Sequence, residues 1–577
     1  MPTRKRKVTR FILDAIKQEG IGHVFIVPGG MIEPFLPEFS KAGLDVIVAC
    51  HEAGAAFMAD GYARASGKFG VCMGIGGPGI SNMVTAISAA KADRSPVLVI
   101  GGSVPQNWEG LGPFQDSSQT GIPDVELMRP ITEVQYKLEL AEQAPHFLQM
   151  ALRSMLGVAN SPAFLSVPYY MQSEEIEAVY RPVENRQVRS VDSISVKELV
   201  RALKQDKKIA FMVGNGTVLS GASNSLRSFA RKYSIPVVTT LRAKGAISER
   251  DEMSFGVFGM GGSLQADALV MGNEKAGIER PDLLVLLGGN LNESNTFMSE
   301  NVQPWKKLIR VDHNSNLLGS NRYVETMVWA DIQGLFDWLE ENVASYDSAL
   351  KKSAAKRRAW MTQIRRGPYY DTEQDRKSDT LPMHPARAIA ALREAAPADA
   401  LMVSDSGANT YYTGHNWTSH GPGEYFLLST TGPMGYAIAM AIGVQMARPE
   451  RQVIAVMGDG DMGMHGMEYL TAVRFKVPLL IVILDNHALG NVYLALKRND
   501  MGRAAEKLTD IPGRDWPLFA KAMGGDGEMV EHPGELDRAF KRGLESKLPY
   551  IVQVRVDKNA PTPNTQESDI PGPPRCR

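Results

Sequence analysis

Short runs of β-branched and other apolar residues alternate with amphipathic stretches of helix length along nearly the whole chain. The strand-like runs are His23–Val27, Val71–Ile75, Pro96–Ile100, Ile209–Val213, Leu283–Leu287, Val453–Met457 and Leu479–Leu484. Apolar runs of this length between helical segments are typical of parallel strands that helices cover on both faces. The pattern therefore predicts an α/β fold built from doubly wound parallel sheets.

Two polar segments without periodicity divide this pattern into three blocks. The first is Tyr180–Asp192, and the second follows the charged helical stretch Ser348–Arg366 and runs through Asp371–Asp379. Each block then has an ordinary domain size. We predict domains at residues 1–180, 193–345 and 380–559, followed by a proline-rich tail at 560–577 that is a disordered end or a lid over a site.

The first and third blocks resemble each other. In the first, a strand leads into Gly76-Gly77-Pro78-Gly79, a helix and a second strand that opens at Pro96. In the third, a strand leads into Gly458-Asp459-Gly460, a helix (Met464–Phe475) and a strand that opens after Pro478. Many βαβ units share this order, so two interpretations stay open: a common local motif, or a duplicated domain whose copies hold opposite ends of one ligand.

Composition and charge exclude several classes of function. The 577 residues carry a formal net charge of -1, with 44% hydrophobic and 22% charged residues, which predicts a globular protein with neither nucleic acid nor an acidic membrane as a partner. No apolar stretch that could be a signal peptide or a membrane span follows the basic residues near the start of the chain. Cys50, Cys72 and Cys576 form neither a disulfide framework nor a metal-binding pattern, which fits a reducing cytoplasm.

A short basic run, Arg4-Lys5-Arg6-Lys7, opens the chain. It precedes an amphipathic helical pattern that begins near Phe11 and Ile12. A basic run beside such a pattern is most often a solvated surface. We interpret it as the solvated start of a helix.

The strongest chemical signal joins Gly458-Asp459-Gly460 to Asp485-Asn486. A glycine turn after a strand lets a phosphate approach the backbone. One crossover later, the next strand delivers Asn486 beside Asp459. A carboxylate and an amide oxygen on neighbouring strand ends suit a small, hard cation that keeps phosphate and water ligands.

This constellation resembles the diphosphate motif of the thiamine diphosphate enzyme family, which begins with Gly-Asp-Gly and ends in a pair of asparagines. The first of that pair is here Asp485, a departure, and the second is Asn486. The resemblance implies that Asp459, Asn486 and the backbone carbonyl of Ala488 bind Mg²⁺. It also implies that the cofactor's diphosphate is bound next to Gly458, Gly460, Asp461 and His487.

A second element of the family is the helix that starts at Glu52 and ends in Gly61-Tyr62-Ala63-Arg64, after the strand Val46–Ala49. Read alone, Glu52 is an acidic residue in a first helical turn, where the macrodipole favours it. By resemblance, it is the catalytic glutamate that hydrogen-bonds N1′ of the aminopyrimidine. Proton sharing at N1′ makes the 4′-nitrogen basic enough to take the proton from the thiazolium C2.

Further matches complete the expected site. Thr431–Gly435 resembles the segment beneath the bend of the cofactor, so the Gly432 carbonyl is expected to accept the 4′-amino hydrogen and Met434 to be the apolar wedge. Asn409 falls where the family contacts the diphosphate. Phe114-Gln115 and Gly29-Gly30 resemble the acetohydroxyacid synthase and pyruvate oxidase branch, in which the first pair faces the substrate and the second lines the site beside C2.

The resemblance covers essentially the whole chain, in the order pyrimidine-binding, middle and diphosphate-binding domain. Glu52 and Asp459 must then reach opposite ends of one cofactor, and the family sets them in different subunits. The resemblance implies a homodimer as the minimum unit and a homotetramer as the expected assembly.

At two places the sequence departs from patterns of particular branches of the family, and this limits the branches to which the chain can be assigned. The flavin-binding synthases carry arginines after the strand that is here Leu283–Leu287, whereas this chain continues Gly288-Gly289-Asn290-Leu291-Asn292-Glu293, which argues against FAD. The decarboxylase branch has an adjacent histidine pair in its first domain, and the stretch Gln106–Gln115 contains no histidine.

Three hypotheses about function remain. The first is an acetolactate synthase-like carboligase that decarboxylates a 2-oxo acid and adds the product to an acceptor carbonyl. The second is a lyase of the oxalyl-coenzyme A decarboxylase or 2-hydroxyacyl-coenzyme A type, with the tail as its lid. The third is a catalytically inactive scaffold or regulator, against which the intact Glu52, Gly432, Met434, Asp459 and Asn486 argue.

Overall fold

The computed structural model describes residues 5–157, 160–183, 189–296, 302, 304, 306–318, 324–371, 373–498 and 502–563. Three six-stranded sheets form the cores of three domains, and every strand pair within these sheets is parallel. The predicted α/β class with three doubly wound sheets is therefore confirmed. In the described part of the chain, no helix combines the length and apolarity that crossing a membrane would require.

The first domain has the sheet order β3-β2-β4-β5-β7-β6. Its strands are β1 (Lys5–Lys7), β2 (His23–Ile26), β3 (Asp45–Val48), β4 (Gly70–Ile75), β5 (Val97–Ser103), β6 (Val134–Lys137), β7 (Ala163–Pro168) and β8 (Glu175–Glu177). Its helices are α1 (Val8–Gln18), α2 (Glu38–Ala42), α3 (Glu52–Ser66), α4 (Pro78–Ala92), α5 (Asp124–Met128), α6 (Ala144–Leu156) and α7 (Tyr169–Ser173).

The middle domain has the order β11-β10-β9-β12-β13-β14, which reverses direction between β9 and β12. Its strands are β9 (Ile209–Val213), β10 (Val237–Thr239), β11 (Ser254–Val257), β12 (Leu283–Leu287), β13 (Lys307–Asp312) and β14 (Thr326–Trp329). Its helices are α8 (Ser193–Gln205), α9 (Asn215–Leu219), α10 (Ser223–Tyr233), α11 (Leu264–Met271), α12 (Glu293–Thr296), α13 (Ser315–Leu318), α14 (Ile332–Glu341) and α15 (Asp347–Ile364).

The third domain has the order β16-β15-β17-β18-β20-β19. Its strands are β15 (Leu401–Ser404), β16 (Tyr425–Phe426), β17 (Val453–Gly458), β18 (Leu480–Asp485), β19 (Asp526–Val530) and β20 (Tyr550–Arg555). Its helices are α16 (Pro385–Ala395), α17 (Ala408–Asn416), α18 (Ala437–Ala447), α19 (Asp459–His465), α20 (Glu468–Arg474), α21 (Gly490–Arg498), α22 (Gly502–Thr509), α23 (Trp516–Ala522) and α24 (Leu536–Glu545).

The first and third sheets have the same topology. When the six strands of each sheet are numbered in chain order, both sheets have the spatial order 2-1-3-4-6-5. A common βαβ motif would not carry this agreement across all six strands. The structure therefore favours the duplicated-domain interpretation.

Helices α3 and α18, which occupy equivalent places in the two copies, pack directly on each other. A Cβ placed on Gly61 would lie 2.3 Å from the carbonyl oxygen of Met440, and one on Gly443 would lie 1.9 Å from that of Met58. Real Cβ atoms do not approach backbone atoms this closely, so the two helices touch through their backbones at both glycines.

Asp93, after α4, connects all three domains. It is buried, and its carboxylate lies 3.3 Å from a guanidinium nitrogen of Arg64 and 3.9 Å from one of Arg242 in the middle domain. From the third domain, the Thr430 hydroxyl donates a hydrogen bond of 2.6 Å to it. A buried carboxylate with these partners fixes the three domains against one another.

Two local predictions were incomplete. The helix predicted after the basic run is present, because α1 begins at Val8 with Lys7 as its N-cap residue, but Lys5–Lys7 also forms the strand β1, which pairs antiparallel with β8. Lys5 and Lys7 lie opposite Glu177 and Glu175, and opposite charges on facing strands stabilise the pair. Arg4 lies outside the described residues. The predicted helix Met464–Phe475 is instead divided at Gly466 and Met467 between α19 and α20.

The two segments predicted as linkers are partly described by the structure. The described parts of Tyr180–Asp192 and Asp371–Asp379 contain no helix and no strand longer than an isolated bridge. The charged stretch between them forms α15. Most of the predicted tail, from residue 564 onward, lies outside the described residues.

Candidate active site

Two neighbouring strands of the third domain deliver Asp459 and Asn486 to the same edge of the sheet. Strands β17 and β18 pair in parallel, with Gly458 opposite Leu484. Asp459 begins α19 directly after β17, and Asn486 follows the last residue of β18. The carboxyl ends of such strands are where open α/β sheets bind ligands.

One pocket at this edge brings most of the predicted third-domain residues together. It is also lined by Ser406, Gly407, Leu489 and Val556. The predicted residues that line it are Asn409, Met434, Gly458, Asp459, Gly460, Asp461, Asn486 and Ala488. Gly432 and His487 are not among the lining residues.

Asp459 carries an exposed fraction of only 4%, and its Oδ2 is buried without a hydrogen-bond partner among the described residues. Burial, followed by the negative charge of Asp485, raises the pKa of Asp459 to about 7. An orphaned carboxylate oxygen of this kind is suited to a cation, whose charge would reverse the shift.

Asp461 lies in the first turn of α19, where its Oδ2 accepts the backbone N–H of Gly458 at 2.7 Å. The bond holds the glycine turn in place. Burial, together with the charge of Asp405, holds the pKa of Asp461 well above its usual range. Its Oδ1, like Nδ2 of Asn409, is buried without a partner in the described part of the chain.

Asp405, which sequence reasoning did not single out, organises the turn that carries Met434. Its two carboxylate oxygens accept the backbone N–H groups of Gly435 at 2.9 Å and Ala437 at 2.8 Å. Burial raises the pKa of Asp405 to about 7, against these hydrogen bonds, which lower it. The available signal was its position after the short apolar run Leu401-Met402-Val403 and two residues before Gly407.

The turn held by Asp405 needs its glycines. Gly432 and Gly435 have φ of 56° and 87°, which side chains disfavour. A Cβ on Gly460 would lie 3.0 Å from a methyl carbon of Leu489 and 3.6 Å from Cε of Met434. The end of the Met434 side chain thus packs beside the glycine turn.

A hydrogen bond within the segment after β18 stabilises its conformation. The backbone N–H of Ala488 donates to Oδ1 of Asn486 at 3.0 Å, and His487 has a left-handed φ of 56°. The His487 ring does not face the pocket; it lies against Gly513 and the guanidinium of Arg555. The contact between His487 and the cofactor stays a prediction.

In the first domain, Glu52 begins α3 and has a partner that the sequence did not reveal. The amide of Asn82 in α4 donates to Oε2 of Glu52 at 2.9 Å. The turn before the helix is capped by His51, whose Nδ1 accepts the N–H of Ala53. Glu468 of the third domain accepts the backbone N–H groups of Cys50 and His51 at 3.2 and 3.0 Å, which fixes this turn to the other domain.

The other predicted first-domain residues gather around the turn after β4. A Cβ on Gly79 would lie 3.6 Å from Oε1 of Glu52, and one on Gly77 would lie 3.5 Å from the carbonyl of Gln115. A Cβ on Gly29 would lie 2.6 Å from Ile75, whereas Gly30 has open space beside it. Phe114 is 82% exposed, and Gln115 has a φ of 58°.

Within one chain, the predicted first-domain residues do not line the third-domain pocket. Every lining residue of the third-domain pocket belongs to that domain, and Glu52, Gly29, Gly30, Phe114 and Gln115 are not among them.

The donor set fits a diphosphate-bound Mg²⁺ better than a free-standing metal centre. In the part of the chain that the structure describes, no group of three or more His, Cys, Asp or Glu side chains is arranged to hold a metal. Asp459 instead offers one carboxylate, with an amide and a carbonyl as neutral partners, so phosphate and water must complete an octahedral shell. The orphaned Asp459 oxygen and the open glycine turn beside it suit that arrangement.

Comparison with known protein families matches all three domains. Residues 6–122 match the N-terminal domain that binds thiamine pyrophosphate (thiamine diphosphate) in thiamine pyrophosphate enzymes. Residues 196–339 match the central domain of these enzymes, and residues 405–554 match their C-terminal domain that binds the same cofactor.

Several known proteins are similar to this chain over nearly its whole length. A probable acetolactate synthase large subunit of Methanocaldococcus jannaschii is 27% identical over 564 residues, which cover 95% of this chain and 91% of that protein. The acetolactate synthase isozyme 2 large subunit of Escherichia coli is 27% identical over 561 residues, 95% of each chain. The chloroplastic acetolactate synthase 1 of Nicotiana tabacum is 27% identical, over 96% of this chain and 82% of that protein.

Proposed function

The chain belongs to the thiamine pyrophosphate enzyme family, and from this premise we propose that it is an acetolactate synthase-like carboligase. It is a thiamine diphosphate-dependent enzyme that forms or cleaves carbon–carbon bonds. The proposed reaction decarboxylates a 2-oxo acid and joins the remaining acyl unit to an acceptor carbonyl. The observation that carries the proposal is the gathering of eight predicted residues around one pocket at the ends of β15, β17 and β18.

Asp459, Asn486 and the Ala488 carbonyl would hold Mg²⁺, and the backbone of the Gly458-Asp459-Gly460 turn would approach the diphosphate. Thiamine diphosphate, when bound, supplies a thiazolium C2 that attacks carbonyl carbons. Met434 and the Gly432 carbonyl would support its bend, and Asp405 holds both in place through Gly435 and Ala437. Glu52 would share a proton with the pyrimidine N1′, and Asn82 orients its carboxylate.

We propose that each site is completed by a second copy of the chain. The separation of the Glu52 group from the third-domain pocket within one chain supports this. Large apolar side chains also remain exposed near both groups: Phe114 is 82% exposed, and Met464 and Met467 on the segment after the glycine turn are 53% and 51% exposed. Large exposed apolar side chains beside a functional site are suited to an interface with a second copy. A homodimer is the minimum unit, a homotetramer the expected assembly and the cytoplasm the expected compartment.

The flavin and the substrate belong to the same proposal. The segment after β12, Gly288-Gly289-Asn290, supplies no arginine to a flavin, so we propose that the enzyme works without FAD. The donor is expected to be a 2-oxo acid, as the names of the acetolactate synthase relatives suggest.

A substrate screen tests this assignment. Purified protein is incubated with thiamine diphosphate and Mg²⁺, once with 2-oxo acids and once with oxalyl- and 2-hydroxyacyl-coenzyme A, and products are identified by mass spectrometry. We expect CO₂ release and a carboligation product from 2-oxo acids. Turnover of the coenzyme A compounds alone would replace the carboligase assignment with the lyase, and no turnover with any substrate would favour an inactive scaffold.

A further inference from the structure

Asp485 ends β18 at the position where the family motif has an asparagine, and it places a second carboxylate beside the expected metal ligand Asp459. Its side chain is 2% exposed. Two buried negative charges on neighbouring strand ends repel each other strongly where water is excluded. A buried charge persists only when it is paired and hydrogen-bonded. The extra charge therefore requires a partner within the protein.

The partner comes from β20, on the side of β18 that faces away from β17. Arg555 is the register partner of Asp485, and its guanidinium lies 2.9 Å from Oδ2. The amide of Gln553, also on β20, donates to the same oxygen at 2.5 Å. Since the sheet order is β17-β18-β20, Asp485 lies on the strand between the one that leads to Asp459 and the one that carries Arg555 and Gln553.

The same contacts extend to the loop that carries the expected metal ligands. Oδ1 of Asp485 accepts the backbone N–H of His487 at 3.2 Å, and the Arg555 guanidinium contacts the His487 ring. Gln553 also donates to the carbonyl of Arg514 and accepts the N–H of Trp516. That segment returns to the loop, because the Ile511 N–H donates to the His487 carbonyl at 2.9 Å.

We propose that Arg555 and Gln553 are positioning residues for the metal site: they pair with the buried carboxylate of Asp485 beside Asp459, and they fix the backbone between Asn486 and Ala488. Asp485 then serves as an anchor of the loop and not as a metal ligand. The inference rests on the proposed function insofar as this loop binds Mg²⁺ with thiamine diphosphate.

The test is a calorimetric titration, in which Mg²⁺ is added to full-length protein in the presence of excess thiamine diphosphate. Arg555→Met leaves Asp485 buried without its cation, so we expect the affinity for Mg²⁺ to fall by about tenfold or more. Asp485→Asn combined with Arg555→Met removes both charges and should return the affinity to within about threefold of the wild type. Arg542→Met is the matched control, because it removes an exposed ion pair with Glu528 in the same domain and should leave the affinity unchanged.

Melting temperatures of the proteins without cofactor separate folding from binding. A folded Arg555→Met variant that binds Mg²⁺ like the wild type would overturn the inference, as would a double variant as weak as the single one. If Arg555→Met does not fold, the test uses Arg555→Lys and the double variant instead. Both variants should bind Mg²⁺ within about threefold of the wild type. A larger loss of affinity in the double variant would contradict the proposed pairing of Asp485 with Arg555. A wild-type protein that binds no thiamine diphosphate overturns the proposed function itself, and the inference with it.

Discussion

The side-chain amide of Asn82 donates a hydrogen bond of 2.9 Å to Oε2 of Glu52. The two residues belong to different helices, α3 and α4, which precede and follow the strand β4 along the chain. One oxygen of Glu52 is thereby oriented by the protein, and Oε1 remains for a ligand. A carboxylate held in this way is poised to share a proton with a basic nitrogen.

Glu52→Gln should fold and bind thiamine diphosphate but exchange the C2 proton of the bound cofactor much more slowly. Glutamine keeps the size of the side chain and cannot share the proton at N1′. Positioned acid–base groups contribute about 10²–10⁴-fold, and we expect a loss of at least that size. Hydrogen–deuterium exchange at C2, followed by NMR, measures it. Asn82→Ala, which removes only the orienting hydrogen bond, should slow exchange less, and equal rates in the wild type and Glu52→Gln would remove Glu52 from the mechanism.

Exhaustive treatment with a chelator should abolish activity, and Mg²⁺ with thiamine diphosphate should restore it. Asp459→Ala should weaken cofactor binding by about a hundredfold or more, because the single carboxylate of the expected metal site is lost. Equilibrium dialysis against thiamine diphosphate at fixed Mg²⁺ measures the change. Wild-type binding strength in this variant would show that the metal lies elsewhere.

Inactive Glu52→Gln and Asp459→Ala proteins should complement each other when they are mixed and allowed to exchange subunits. A hybrid dimer has one site built from two intact halves and one site with both changes. Random assortment should therefore restore about a quarter of wild-type activity. The activity of the mixture is compared with that of each variant alone, incubated identically. A mixture that exchanges subunits, as shown by mass spectrometry, yet stays inactive would place both residues in one subunit.

The purified protein should be colourless. The segment after β12 offers glycine and asparagine where a flavin would need arginine. An absorption spectrum of the native protein, and of the supernatant after denaturation, checks this. A yellow protein that releases flavin would move the assignment towards the flavin-binding synthases and oxidases.

Asp93→Asn should lower the melting temperature at neutral pH by about 3 °C or more, because the contacts among the three domains lose their charge. Burial alone would raise the pKa of Asp93, but Arg242, Arg64 and the hydrogen bonds from Thr430 and Ser429 outweigh it and lower the pKa below its usual range. The carboxylate therefore stabilises the fold fully above the ordinary value of about 3.9, and this contribution is lost as the pH falls through the lowered pKa.

Calorimetric scans between pH 3 and 8 should accordingly show the largest difference between wild type and Asp93→Asn near neutrality, and a smaller one at the acid end. Asp537→Asn removes an exposed pair with Lys541 and should leave the melting temperature unchanged at every pH. A constant difference between wild type and Asp93→Asn across the range would show that the charge of Asp93 is not what stabilises the fold.

The sequence predicted those parts of the site whose chemistry is local. Asp459 and Asn486 each follow a recognisable strand, and one crossover separates them, so their convergence could be inferred from spacing alone. The resemblance to a known family then supplied the roles of Glu52 and Met434. The α/β class followed from the same alternation of apolar runs and helical periods, because that alternation reflects burial on both faces of a parallel sheet.

What could not be predicted depends on contacts between distant segments. Asp405 acts through Gly435, and Arg555 acts through Asp485. In neither case does the number of residues between the two partners indicate that they are in contact. The strand formed by the basic run near the start of the chain was not predicted for the same reason. Its conformation depends on the acidic strand β8, far along the chain, and not on the helix that follows it.

The close packing of α3 on α18 restricts where insertions and deletions can occur in the chain. Two helices that touch through glycine backbones fit in a single register, and sliding one by a residue would drive a side chain into a carbonyl of the other. Glu52 begins one of these helices, and Met434 precedes the other by three residues. We therefore expect insertions and deletions among homologues to fall in the loops between domains, and both helices to keep a constant number of residues from their first turn to their glycine.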